Sequence, residues 1–222
     1  MAHRCAVLGT VAALAALTAG CTSGSTQLPD GGSELARSAD VMRSVHSTHF
    51  AITVDGDLPE VPVRAAEGDL TSDGAAKGTA KITEFGQLVQ LDFVLVGGSA
   101  YLKGPTGGYQ KMSAATVSSL YDPATILNPD KGVAKVLGTV EDPRTQAHDD
   151  GVYRVSGTVS KATVSSLIPG IASDVTATFL VSSDGDPYLR QARFEIPNGH
   201  GEASVTVELS EINTPVTVTA PV

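Results

Sequence analysis

Three segments near the end of the chain alternate apolar and polar residues with a period of two. They are Val175, Ala177, Phe179 and Val181; Tyr188, Ala192, Phe194 and Ile196; and Val205, Val207 and Leu209. Thr, Ser, Arg, Gln and Glu occupy the opposite faces. Side chains alternate like this along a β-strand with one dry and one wet face. These strands are expected to span 174–182, 188–196 and 203–211, with others near 63–71, 77–84, 88–96, 99–104 and 151–159. A further strand begins at His49, where Phe50, Ile52 and Val54 face one way and Ala51, Thr53 and Asp55 the other. TSDG at 71–74, Gly97-Gly98 and DGDP at 184–187 are turn signals that leave only short spacers. A parallel pair needs a crossover of roughly a dozen residues, so these neighbours are antiparallel. The dry face of such a sheet needs a cover.

Helical spacing supplies one. Ser33 is expected to cap a helix over 34–47, in which Leu35, Ala39, Met42 and Val45 share a face. The stretch 123–140 reads as two helical pieces broken at Asn128-Pro129, because proline lacks a donor and restricts the residue before it. A third patch, 160–168, starts with Ser160 as N-cap. EDPRTQAHDDG at 141–151 is read as a loop joining the helical patch to the second block of strands. The expected fold class is α+β, a strongly curved antiparallel sheet with helices packed on its concave side. No repeat or second domain boundary is apparent, so 33–222 is expected to be one domain.

The start of the chain has a different character. Arg4 precedes AVLGTVAALAALTAG, fifteen uncharged residues, the size of a signal-peptide core and short for a membrane span. LTAGC follows the pattern of a bacterial lipobox, in which the cysteine thiol is acylated and becomes the new N-terminus. Residues 1–20 are thus read as a leader, Cys21 as a lipid anchor, and 21–32 as the acylated cysteine with a flexible Ser/Gly/Pro linker. The only other cysteine, Cys5, leaves with the leader, so no internal disulfide remains and the core must hold the fold. Such an exported domain sits at the outer face of the cell membrane, tethered by more than one acyl chain, as stable anchoring requires.

Charge and motifs exclude several functions. The net charge is -9, and loss of Arg4 makes it one unit more negative. No basic cluster is present, which argues against nucleic acid. Trp is absent and aromatics are 5% of the chain, so stacking platforms for sugars are scarce. Neither a G-x-S-x-G elbow nor S-x-x-K occurs, nor a phosphate-cradling glycine motif. GPTGGY at 104–109 is read as a flexible loop. His46 and His49 form H-x-x-H without a third ligand nearby, and Asp55/Asp57 and Asp184/Asp186 lack the Glu that closes a calcium loop. The expectation is a protein with no catalytic residues, no metal and no cofactor.

The segment LVQLDFVLVGG places Val89, Leu91, Phe93 and Leu95 on one face and makes the other apolar too, at Val94 and Val96. Ala80 and Ile82 are similarly placed on the preceding strand. On pattern alone this describes a central strand buried on both sides.

YDPATILNPDKGVAKVL at 121–137, preceded by LDFVLVGGSAYLK, resembles the corresponding segment of the mycobacterial LprG/LppX/LprA/LprF lipoproteins. GDLP at 56–59, GDLT at 68–71 and TATFLVSSDGDPYLRQARFEI at 176–196 extend the resemblance over nearly the whole mature chain. It implies a half-barrel with helices packed around an apolar cavity. It also implies binding of acylated lipids or lipoglycans (triacylglyceride-, phosphatidylinositol mannoside- or wax-like) and their transport across an actinobacterial envelope, in some members beside a membrane exporter. The cavity wall expected from parity and resemblance together is Ala80, Ile82, Val89, Leu91, Phe93 and Leu95, with Ile126, Val133 and Leu137 opposite. The implied partners are the lipid, the membrane through Cys21, and an exporter, for a monomeric protein. The alternative is an envelope scaffold or exporter adaptor without lipid cargo.

Overall fold

A computed structural model describes residues 27–118, 123–198 and 201–221. The leader, Cys21 and the first part of the linker lie outside the described residues. Eleven strands form one antiparallel sheet: β1 (Ser47–Asp55), β2 (Val63–Thr71), β3 (Ala76–Glu84), β4 (Gln87–Val96), β5 (Ser99–Lys103), β6 (Gln110–Ser113), β7 (Glu141–Asp149), β8 (Val152–Val159), β9 (Val175–Ser182), β10 (Leu189–Asn198) and β11 (Gly201–Ser210). Their order is β6-β5-β4-β3-β2-β1-β11-β10-β9-β8-β7. Two meanders, β1–β6 and β7–β11, therefore meet where the first strand pairs with the last. The sheet curves without closing, and its free edges are β6 and β7. With its helices it is an α+β half-barrel, the expected fold class.

The alternating strands lie as expected, with one shift. Tyr188 precedes β10, and Leu189 takes the buried position, because the ladder to β9 slips between Leu189 and Gln191. Both strands that the sequence reading missed are edges. β6 has only four residues. The stretch read as a loop from 141 is β7, whose ladder to β8 is irregular at two places and contains Pro143. Edge strands tolerate proline and charge because no neighbour needs their outer backbone groups.

Among the described residues, four helices accompany the sheet: α1 (Gly31–Met42), α2 (Ala114–Ser118), α3 (Val133–Leu137) and α4 (Lys161–Leu167), with a 3-10 turn at Pro123–Leu127. The cap of α1 is Asp30 rather than Ser33: the Asp30 carboxylate accepts from the Ser33 backbone N–H at 2.8 Å and its hydroxyl at 2.9 Å. These bonds hold the Asp30 carboxyl below the usual carboxylate range. The helix also ends at Met42, five residues early; a turn carrying Val45 leads into β1. The break expected at Asn128-Pro129 separates the 3-10 turn from α3. Ser160 occupies the N-cap position of α4, but its hydroxyl donates to Thr163 Oγ1 instead of capping. α1 packs on α3 and over β7–β9, and the 3-10 turn reaches β2. The core between helices and sheet holds Leu35, Met42, Phe50, Phe179, Phe194 and Leu209.

Candidate functional site

The register of the first meander shows how a space opens on the concave face. One row across the sheet reads Phe50–Gly68–Gly78–Phe93–Leu102. The next toward the β3–β4 hairpin reads Ile52–Ala66–Ala80–Leu91, and beyond it Val63 pairs with Ile82 and Ile82 with Val89. On the other side lies Leu70–Ala76–Leu95–Ala100. In the two central rows β2 and β3 carry only Gly or Ala, while both flanks carry large residues. The side-chain volume missing between the flanks is a trough.

The two glycines also crease the sheet. A Cβ on Gly68 would lie 2.1 Å from the Lys77 carbonyl oxygen, and one on Gly78 would lie 2.0 Å from that of Glu67. No side chain fits at either position, because on the inside of a tight curve the Cβ directions converge on the neighbouring backbone. β3 begins at Ala76, one residue before the expected start, and Gly78 is a strand residue.

The trough encloses about 660 Å³, mouth included, and is lined by Phe50, Val63, Ala66, Ala80, Ile82, Leu91, Phe93, Leu95, Leu102 and Pro123. All ten side chains are apolar. Among the described residues, Pro123 is the only lining residue that does not come from a strand. Exposure grades along β4: Leu95 and Phe93 are buried, Leu91 and Val89 half-buried, and Gln87 exposed. The trough thus deepens away from the β3–β4 hairpin and opens toward it.

Of the nine side chains expected on the wall, Ala80, Ile82, Leu91, Phe93 and Leu95 line this space. Val89 is half-buried outside the lining. Ile126, Val133 and Leu137 are not in its lining; they are buried in the hydrophobic core. The sequence reading did not place Phe50, Val63, Ala66, Leu102 and Pro123 on the wall. The signal for Ala66 was available, since the turn after Thr71 pairs Leu70 with Ala76 and therefore Ala66 with Ala80. A small second apolar cleft shares Val63 with the trough and lies between Ile52, Val205, Val207 and the end of α4 at Leu167 and Ile168.

The polar candidates are elsewhere. His49 Nδ1 meets Asp69 Oδ1 at 2.8 Å across β1–β2, with Lys77 Nζ 3.6 Å from the same carboxylate, on the face away from the trough. His46 lies in the turn before β1, where its backbone N–H bonds Asn213 Oδ1. Among the described residues no three His, Cys, Asp or Glu side chains are grouped to hold a metal. Among the described residues no titratable or nucleophilic group lines the trough, and its wall can exclude water and hold hydrocarbon.

Known proteins share this arrangement. The lipoarabinomannan carrier protein LprG of Mycobacterium leprae is 34% identical over 228 residues, covering 97% of this chain and 94% of that protein. Its namesake in Mycolicibacterium smegmatis is 36% identical, over 95% and 93%. The crystal structure of LprF from Mycobacterium bovis superposes with a TM-score of 0.74 at 26% identity, covering 86% of this chain and 96% of that one. LppX from Mycobacterium tuberculosis has the same fold, with a TM-score of 0.62 at 24% identity over 85% and 97%. The model of the LppX_LprAFG lipoprotein family matches residues 30–218. A match of that extent, with relatives aligned end to end and a common half-barrel, places this chain in the LppX_LprAFG lipoprotein family.

Proposed function

We propose that this protein binds acylated lipid in the trough and carries it through the cell envelope, tethered to the membrane by acylated Cys21. The observation that carries the reading is the wholly apolar, half-open wall centred on Ala66, Ala80, Leu91 and Phe93. Moving hydrocarbon into water costs roughly 0.8 kcal/mol per CH₂, so a lipid with two sixteen-carbon chains faces on the order of 25 kcal/mol. A cavity as apolar as a bilayer removes most of that cost, and no catalytic residue is needed.

Size bears on the cargo. If a methylene takes about the volume of a water, roughly 30 Å³, a sixteen-carbon chain fills on the order of 500 Å³. The trough's figure of about 660 Å³ counts its open mouth, so one such chain is held in part against the wall and continues out through the mouth. Relatives named as lipoarabinomannan carriers support a lipoglycan whose sugars stay outside.

The test is native mass spectrometry of the domain lacking residues 1–21, after mild purification. Co-purifying acylated lipid is expected. A lipid-free protein that also fails to take up lipid from vesicles would leave the alternative, an envelope scaffold or adaptor for an exporter.

A further inference from the structure

The tip of the β3–β4 hairpin is built against ordinary folding preferences. Phe85 and Gly86 form its two-residue turn with φ of 51° and 76°. Positive φ at both positions belongs to a type I′ turn, which favours Asn or Asp before Gly because a bulky side chain is strained there. Phe85 is nonetheless in that conformation and 99% exposed, and Leu88, one residue into β4, is 63% exposed. Neither ring nor isobutyl group covers any of the core. A strained and fully solvated aromatic residue is a feature whose purpose lies outside the fold.

Its position indicates the purpose. The trough opens toward this hairpin, through half-buried Ile82 and Val89. The same end of the sheet receives the chain from its N-terminus. Following the ladders from Glu141 through Thr158, Thr176, Glu195 and Ser204 reaches Asp55, and β1 and β2 carry that end to Val63 and Ile82. Gly31, the first residue of α1, sits against Pro143 and Arg144 beside Glu141. Only the nine residues 21–29, counting the proposed anchor itself, lead to the cap of α1.

We propose that the Phe85–Leu88 hairpin tip inserts into the surface of a lipid bilayer and sets the mouth of the trough against it. This rests on the lipid-carrier reading for its purpose, but not for its measurement. Charges next to the tip are of both signs, with Lys81 and Glu84 on β3 and Arg64 bonded to Thr83. Insertion is therefore driven by the two apolar side chains and does not depend on anionic headgroups. A protein partner fits less well, because two side chains supply far less than the roughly 800 Å² that a stable interface takes from each partner.

The chain contains no tryptophan, so Phe85→Trp introduces a single reporter. The acylated full-length variant is reconstituted in phosphatidylcholine vesicles with and without brominated acyl chains. Ser72→Trp, in the exposed turn at the opposite end of the sheet, is the control. The tip reporter is expected to emit further to the blue and be quenched by bromine at low and high salt alike, while the control is not. The double variant Phe85→Asp/Leu88→Asp is expected to slow lipid transfer between vesicles by on the order of tenfold or more, with bound lipid per molecule unchanged. An unquenched tip, equal quenching of both reporters, or normal transfer by the double variant overturns the proposal. Slow transfer with an unquenched tip also overturns it, because the hairpin would then act without entering the bilayer. Quenching is read whether or not the wild-type protein holds lipid, so failure of the carrier reading is seen separately.

Discussion

Ala80 stands in the row between Ala66 and Leu91 and faces empty space. Ala80→Trp is expected to keep the fold and a melting temperature within a few degrees of wild type while retaining markedly less lipid. In packed core the same ring would overpack and cost about 1–3 kcal/mol or more. Thermal melting and lipid extraction on one preparation decide between these outcomes. Asp30 offers a pH test. Its carboxyl is held below the ordinary range by the Ser33 bonds, so its contribution to stability is fully present above the unfolded-state pKa. That contribution is lost as pH falls through the lower folded-state value. Asp30→Ala should therefore lower the melting temperature at neutral pH, with the difference from wild type vanishing in acid. Cys21 is expected to be an anchor only, so Cys21→Ala should leave the protein uncleaved or untethered, seen by its mass and by membrane fractionation, with no change in the melting of the domain. The parity of β3 and β4 made five wall residues legible in the sequence. The three helical ones were misplaced because apolar spacing says which face of a helix is buried, not whether it meets a cavity or another helix.

Between residues and the whole sheet, the crease of β2 on β3 is the decisive contact. Gly68→Ala would drive a methyl group into the Lys77 carbonyl oxygen. It should destabilise the protein by at least the roughly 1–3 kcal/mol of an overpacked site, read as a lower denaturant midpoint at unchanged slope. A wild-type midpoint would mean that the crease is not needed. Sequence reading found strands where one face is buried and the other wet, as in β9 with Val175, Ala177, Phe179 and Val181 all buried. It failed at β6 and β7 for one physical reason: an edge strand buries neither face well. On β7 exposure alternates only between full and partial, and Pro143 and its charged neighbours disguise the period. Helix ends were misread for a different reason. Either Asp30 or Ser33 can cap, and the two were separated only by which backbone N–H lay within reach.

At the scale of the molecule, cargo and stability are linked. Lipid that binds the folded trough and not the unfolded chain stabilises by RT ln(1 + [L]/Kd), about 2.7 kcal/mol at a hundredfold excess over Kd. Protein stripped of lipid should therefore melt at a lower temperature than protein as purified, and recover on reloading from vesicles. Equal melting of both forms would mean that the trough is not occupied in the purified protein. The order of the strands has a temporal consequence. Every trough-lining residue except Pro123 belongs to β1–β5, whereas the seam that joins the two meanders pairs β1 with β11. Contacts between near neighbours along a chain form quickly, and those between its two ends form slowly. A chain emerging N-terminus first has its apolar wall assembled while the last strand is still being made. The newborn protein thus passes through an interval in which its stickiest surface is finished and its fold is not, and that interval lasts until β11 arrives.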